Sequence, residues 1–288
     1  MEPSAYERRA LEDIHAWKQQ RTTSTWIGQT RRIVNLPLET VGRLLFKVPG
    51  VTWAIDRSVG RLVGALNGLA QSSVRHAAIH EEYRDRGHAQ VKEHADVLSL
   101  DLEQIDRTIG LLATKYKALA LAQGAATGLA GLGGIPVDVV ALVLLNLRAI
   151  GEYATYCGID LRGQHERLFA MNLLGFASSA TAARDKYGTV AQLAKIARDV
   201  STKRPWKELK KHAFVRAVRQ IAKSLGLRLT RAKLAQIVPA AGAVFGGVFN
   251  AQFTSGVCDA AHMLYRERFL VEKYGIGLIE LPALEPDT

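Results

Sequence analysis

Cysteine is nearly absent from this chain: 288 residues contain two, Cys157 and Cys258. Two thiols cannot build a disulfide framework or a thiolate zinc site, so a reducing compartment is the expectation. The start, MEPSAYERRALEDIHAW, has no apolar run of the kind that opens a secretory signal, and no export leader is expected. Alternating β-branched runs are scarce and Asn-Gly or Asp-Gly hairpin turns are missing. Aromatic residues make up only 7% of the chain, few for stacking on bases, and no nucleic-acid motif is recognisable. Nucleic acid is therefore not an expected partner. GxSxG, HExxH and a phosphate-cradling glycine loop followed by Lys-Ser/Thr are also lacking, which removes the usual cues for a hydrolase elbow, a zinc peptidase and a P-loop. No cofactor and no metal are expected.

What is present is helical spacing. Apolar residues are 48% and charged residues 23%, the balance of a globular chain. The periodicity, broken at Pro37, Pro49, Pro136, Pro205, Pro239 and glycine clusters, predicts helices over 4–20, 23–35, 38–47, 51–86, 89–112, 114–133, 137–157, 161–186, 188–201, 205–225 and 240–274. No Pro/Ser/Gly-rich linker divides them. The expected fold is all-α, one multi-helix domain over 1–288, with tightly packed glycine-rich core helices and a helical hairpin at 118–157.

Small residues recur at four-residue spacing: Gly60, Gly64 and Gly68; Gly124 and Gly128; and Gly242, Gly246, Asn250, Thr254 and Cys258, with Gly247 beside the last row. Such rows let two helix backbones approach closely. The segment 118–137 carries no charge over twenty positions, and Pro136 and Asp138 interrupt the apolar run before it resumes at 139–147. A hairpin of this shape is either buried in a soluble core or able to enter a membrane.

Charge is uneven. The formal net charge is +11, yet residues 203–233 hold eleven basic residues against Glu208 alone, leaving 27 basic and 26 acidic residues elsewhere. On a helix, Phe214, Val218 and Ile221 share one face, with Trp206 extending it, while Lys210, Lys211, Arg216, Arg219 and Lys223 supply the charge. A basic amphipathic helix of this kind suits an anionic lipid surface, each Lys or Arg contributing about 1 kcal/mol. A plain surface helix with solvated charges has the same pattern.

Polar residues inside the apolar stretch are the candidates for a ligand pocket: Asp138, Asn146, Arg148, Glu152 and Tyr156, with Asn250 from the C-terminal region. Arg148 and Glu152 stand at i, i+4 and can pair. Asp138 and Glu152 lie about 21 Å apart along a continuous helix, too far for one paired-carboxylate site. Asp138 near a helix start also suits a cap. His76, His80, His88 and His94 cluster in a polar window, and Cys258 and His262 stand at i, i+4. The first reads as a solvated helix-loop-helix and the second as a core cysteine.

The block GAATGLAGLGGIPVDVVALVLLNLRAIGEYATYCGIDL, residues 124–161, resembles the central signature of the bacterial EcsC family. The matching positions are Pro136, Asp138, Arg148, Tyr156, Gly158 and Asp160; Cys157 stands where an apolar or small residue is usual. YERRALEDIHAWK resembles the family's N-terminal helix. LTRAKLAQIVPAAGAVFGGVFNAQF, residues 229–253, and the AAHMLYRERFL after it resemble its C-terminal signature, through Lys233, Pro239, Gly242, Gly247 and Asn250. The resemblance implies a bacterial accessory protein at the cytoplasmic face of the inner membrane, near an ABC-type exporter. It brings no agreed reaction and no catalytic residues. The expected partners are anionic membrane lipid, from the basic segment, or a membrane transporter subunit; the alternatives are a hydrolase-like enzyme with a pocket around Asp138 and Arg148, and a soluble adaptor that binds a transporter subunit.

Overall fold

The computed structural model describes residues 2–23, 57, 74–128, 131–178 and 242–275. Among them are seven α-helices and no strand: α1 (Ala5–Thr23), α2 (His76–Asp85), α3 (Leu102–Ile109), α4 (Leu112–Gly128), α5 (Gly131–Tyr156), α6 (Gln164–Ser178) and α7 (Gly242–Tyr274). The fold is all-α, as the spacing predicts. The helices expected at 23–35, 38–47, 188–201 and 205–225, the Gly60, Gly64 and Gly68 row, and the whole basic segment lie outside the described residues.

The spine is α7, 33 residues and about 50 Å long, against which α1, α3, α4, α5 and α6 pack. Its inner side buries Phe253, Val257, Ala261, Leu264, Tyr265 and Phe269. The second core helix is α5, with Val139, Leu142, Val143, Ala149, Ile150 and Tyr153 buried. A helix apolar on most sides needs neighbours on most sides, which α4, α6 and α7 provide.

The α4/α7 crossing is close enough to exclude side chains. A Cβ placed on Gly124 would stand 2.3 Å from the Gly246 carbonyl oxygen and 2.6 Å from Asn250 Nδ2, and one on Gly247 would stand 2.9 Å from the Leu121 carbonyl oxygen. Two of the small-residue rows thus meet each other, and backbone contact takes the place of side-chain interdigitation.

Three expectations are corrected. Pro136 lies inside α5 and does not break it; α5 begins five residues earlier, at Gly131, and α4 ends at Gly128. The helices still run antiparallel, since Lys115 reaches Glu152 while Thr127 reaches Asp138. The span 89–112 is not one helix. Asp96 Oδ2 accepts the main-chain N–H groups of Lys92 and Glu93 and winds His94–Ser99 into a 3-10 turn. Asp101 then caps α3 reciprocally with Gln104, and Gly110 closes it at φ +49°. Finally, Asp138 sits in the third turn of α5, beyond reach of a capping role.

The start of α1 and the end of α7, the first and last described helices, are tied together by one carboxylate. Glu7, on α1, is fully buried and accepts hydrogen bonds from the Ser4 N–H (2.8 Å), the Leu102 N–H (3.3 Å), Lys273 Nζ (2.9 Å) and Tyr274 Oη (2.6 Å). Burial works against its charge, but those donors win and hold its carboxyl below the usual range.

Candidate functional site

The polar residues predicted on α5 fall into two separate stations. At the first, Asp138 is 3% exposed and its Oδ1 accepts hydrogen bonds from Thr127 Oγ1 (2.6 Å), Asn250 Nδ2 (3.1 Å) and Gln123 Nε2 (3.4 Å). Two turns on, Asn146 is fully buried and donates to Thr254 Oγ1 (3.1 Å) and the Leu142 carbonyl (2.8 Å). The structure therefore brings Asp138 and Asn250, two of the pocket candidates, together in a closed seam. Each side chain bridges α5 to α4 or α7, as buried polar groups must when water cannot reach them.

The second station is open on one side. Glu152 is fully buried, and three cations converge on it from three parts of the chain. Arg75, just before α2, places Nε 3.4 Å from Oε1; Lys115, on α4, places Nζ 3.3 Å from Oε2; Arg148, one turn back on α5, places Nε 3.5 Å from Oε1. The three cationic side chains are 39%, 44% and 40% exposed. Burial disfavours the Glu152 charge, yet the Arg75 hydrogen bond, the neighbouring Tyr116 hydroxyl and Lys115 outweigh it and hold the carboxyl below its ordinary value. Tyr156, at the end of α5, donates a short hydrogen bond to Glu82, whose other oxygen lies 3.8 Å from an Arg75 nitrogen. Arg148, Glu152 and Tyr156 are thus gathered here, apart from Asp138, Asn146 and Asn250.

Behind this station α5 ends in a tight turn. Gly158 takes φ +75°, and a Cβ there would lie 2.7 Å from the His94 carbonyl oxygen. Only glycine fits both demands. The turn holds the 3-10 segment against α2, so that His94 Nε2 is 3.2 Å from His76 Nδ1, and the His80 and His94 rings are 5.0 Å apart. His76 Nδ1 also faces Thr155 Oγ1 at 2.9 Å. Three of the four clustered histidines are therefore packed together, His80 buried and His76 and His94 half-buried. Among the described residues no group of three or more His, Cys, Asp or Glu side chains is arranged to hold a metal ion.

Burial lowers the affinity of all three imidazoles for protons, and His94 is pushed down to about 4 although Asp160 opposes the shift. A histidine depressed on folding binds protons more readily in the unfolded chain. Its stabilising effect is complete above about pH 6.5 and is lost as pH falls toward 4. Stability should drop by about 1–2 kcal/mol between pH 7 and pH 5 through this cluster, after allowance for solvent screening. Thermal melts of the wild type and His94→Gln would show it: the variant should lose less on acidification, and an identical fall in both would assign the drop elsewhere.

Cys258 and His262 do not form a reactive pair. Cys258 is buried, with its thiol pushed up to about 12 by desolvation, while His262 Nε2 lies 2.9 Å from Asp106 Oδ1. The predicted lipid-facing residues Trp206, Lys210, Lys211, Phe214, Arg216, Val218, Arg219, Ile221 and Lys223 are outside the described residues.

Sequence reasoning missed Arg75 and Lys115. Both are distant in the chain from Glu152, by 77 and 37 positions, and no local spacing announces them.

Comparison with known proteins agrees with the resemblance read from the motifs. Over 279 residues the chain is 23% identical to the uncharacterized protein YdbA of Bacillus subtilis (strain 168), covering 91% of this chain and 92% of that protein. It is 22% identical over 180 residues to the protein EcsC of the same organism, covering 62% and 70% of the two chains. No solved structure matches. A sequence model of the EcsC protein family matches residues 8–270, a stretch that includes the α4/α7 crossing, both polar stations of α5 and the Gly158 turn. This chain belongs to the EcsC protein family.

Proposed function

We propose that the protein is a non-enzymatic helical accessory protein working at the cytoplasmic face of the membrane, bound peripherally, in the setting of an ABC-type export system. The observation that carries this reading is the charge distribution: nearly all of the net charge of +11 resides in the amphipathic stretch 203–233. Such a segment meets anionic headgroups with Arg216, Arg219 and Lys223 and the interface with Trp206, Phe214, Val218 and Ile221.

The α4–α5 hairpin adds a second, weaker support. Gly134–Tyr156 is a 23-residue stretch long and apolar enough to cross a membrane, a property that soluble core helices share. Its buried Asp138, Asn146 and Glu152 are all engaged by neighbouring helices, so α5 in this state is a core helix. Leu119, Leu121 and Val137 are nonetheless 46–50% exposed on α4 and α5, and Leu111, just before α4, is 78% exposed.

Flotation of the purified protein with neutral and anionic vesicles, from low to high salt, tests the reading. Binding to anionic vesicles alone, falling steeply as salt screens the charges, is the expected result. Charge reversal at Arg216, Arg219 and Lys223 should abolish it at physiological salt. Failure to float under any condition would exclude lipid and leave a transporter subunit as the partner to seek by lipid-free pull-down.

A further inference from the structure

We propose that Arg75, Lys115 and Arg148, gathered around the buried Glu152, bind a phosphate-type oxyanion on the open side of the cluster. Three positive side chains share one fully buried carboxylate at 3.3–3.5 Å. Those distances exceed the 2.7–2.9 Å or so of a well-made charge-assisted hydrogen bond, so Glu152 orients the three heads without saturating them. Arg148 Nε is itself buried and, 3.5 Å from Glu152 Oε1, makes no hydrogen bond among the described residues. About 40% of each cationic side chain is exposed, and the three meet at Glu152 from the residue before α2, from α4 and from α5.

Even with Glu82 counted, three cations face two carboxylates, and the group keeps a net positive charge. Glu82 is held back by Tyr156, which donates to it, and so is not free to swing across the open side. Guanidinium forks and an ammonium arranged this way match the tetrahedral oxygens of a phosphate or phosphomonoester. Glu152 then plays two parts: it fixes the cations in place, and as a like charge it limits how tightly an anion is held. The assignment is independent of the membrane reading, since none of these residues belongs to 203–233.

The first test is calorimetric titration of the full-length protein with inorganic phosphate at constant ionic strength, with chloride as the reference anion. Saturable phosphate binding is expected, weakened at least tenfold in Lys115→Gln and Arg148→Gln and unchanged in Arg107→Gln, an exposed control. Glu152→Gln is the discriminating variant. Removing the like charge should tighten phosphate binding severalfold, whereas a purely structural ion-pair cluster gives no gain.

Vesicles containing phosphatidic acid separate the two sources of the same chemistry. If free phosphate does not bind but Lys115→Gln and Arg148→Gln lose flotation while the charge-reversed 203–233 variant keeps a residual share, the oxyanion is a lipid headgroup. Phosphate titrations that match chloride in both wild type and Glu152→Gln, together with flotation indifferent to Lys115 and Arg148, would overturn the proposal.

Discussion

Replacing Glu166 by alanine is expected to destabilise the protein by about 3–5 kcal/mol. Glu166 lies in the first turn of α6 and grips Arg268 of α7 through both carboxylate oxygens, and both residues are less than 10% exposed. Arg268 also lies over the Phe169 ring at 4.7 Å. Alanine leaves the guanidinium buried, charged and unanswered, because an arginine does not lose its proton in a protein. The pair itself, set against two apolar side chains of similar volume, is worth far less. The double variant Glu166→Leu, Arg268→Met should therefore recover most of the loss. Urea midpoints followed by circular dichroism would measure both; a double variant as unstable as Glu166→Ala would mean that the pair stabilises in its own right.

The second large effect reverses the usual sign of a glycine substitution. Glycine within a helix ordinarily costs about 0.5–1 kcal/mol against alanine, and Gly175→Ala on α6, where a Cβ meets nothing within 4 Å among the described residues, should gain that amount. Gly124→Ala should instead lose about 1–3 kcal/mol, because its Cβ would collide with the Gly246 main chain, which cannot rotate away as a side chain can. The same clash presses on Asn250 and so on the Asp138 seam. Paired thermal melts of the two variants are the check. A gain at both positions would mean that α4 and α7 separate easily, and the tight crossing would lose its structural importance.

Sequence periodicity recovers the long core helices well, because α5 and α7 are apolar or small-residue stretches whose pattern repeats over many turns. It fails where side chains redirect the backbone. The span 89–112 has apolar residues at helical spacing, yet Asp96 and Asp101 capture main-chain N–H groups and cut it into a 3-10 turn and a short helix. Asp101 and Gln104, three apart before an apolar run, are the visible signature of that cut. Pro136 misleads in the opposite direction: it lies in the second turn of α5, near an end where few intrahelical bonds are at stake. Within the site, the Arg148–Glu152 pair is legible from its i, i+4 spacing, while polarity in apolar surroundings singles out Asp138 and Asn250 without showing that they touch. Arg75 and Lys115 are not legible, since only the assembled bundle brings them to Glu152.

The place of α7 in the chain has a consequence for how the protein is made. Its residues leave the ribosome after those of every other described helix, yet it is the surface on which α1, α3, α4, α5 and α6 close. Until then the apolar faces of the earlier helices and the buried acid of α1 have no final partner, since Lys273 and Tyr274 arrive last. At about 5–20 residues per second, the nascent chain spends several seconds with its core open. Completion is therefore a late, concerted event, and a chain cut before α7 would present its apolar faces to chaperones and proteases instead of a bundle.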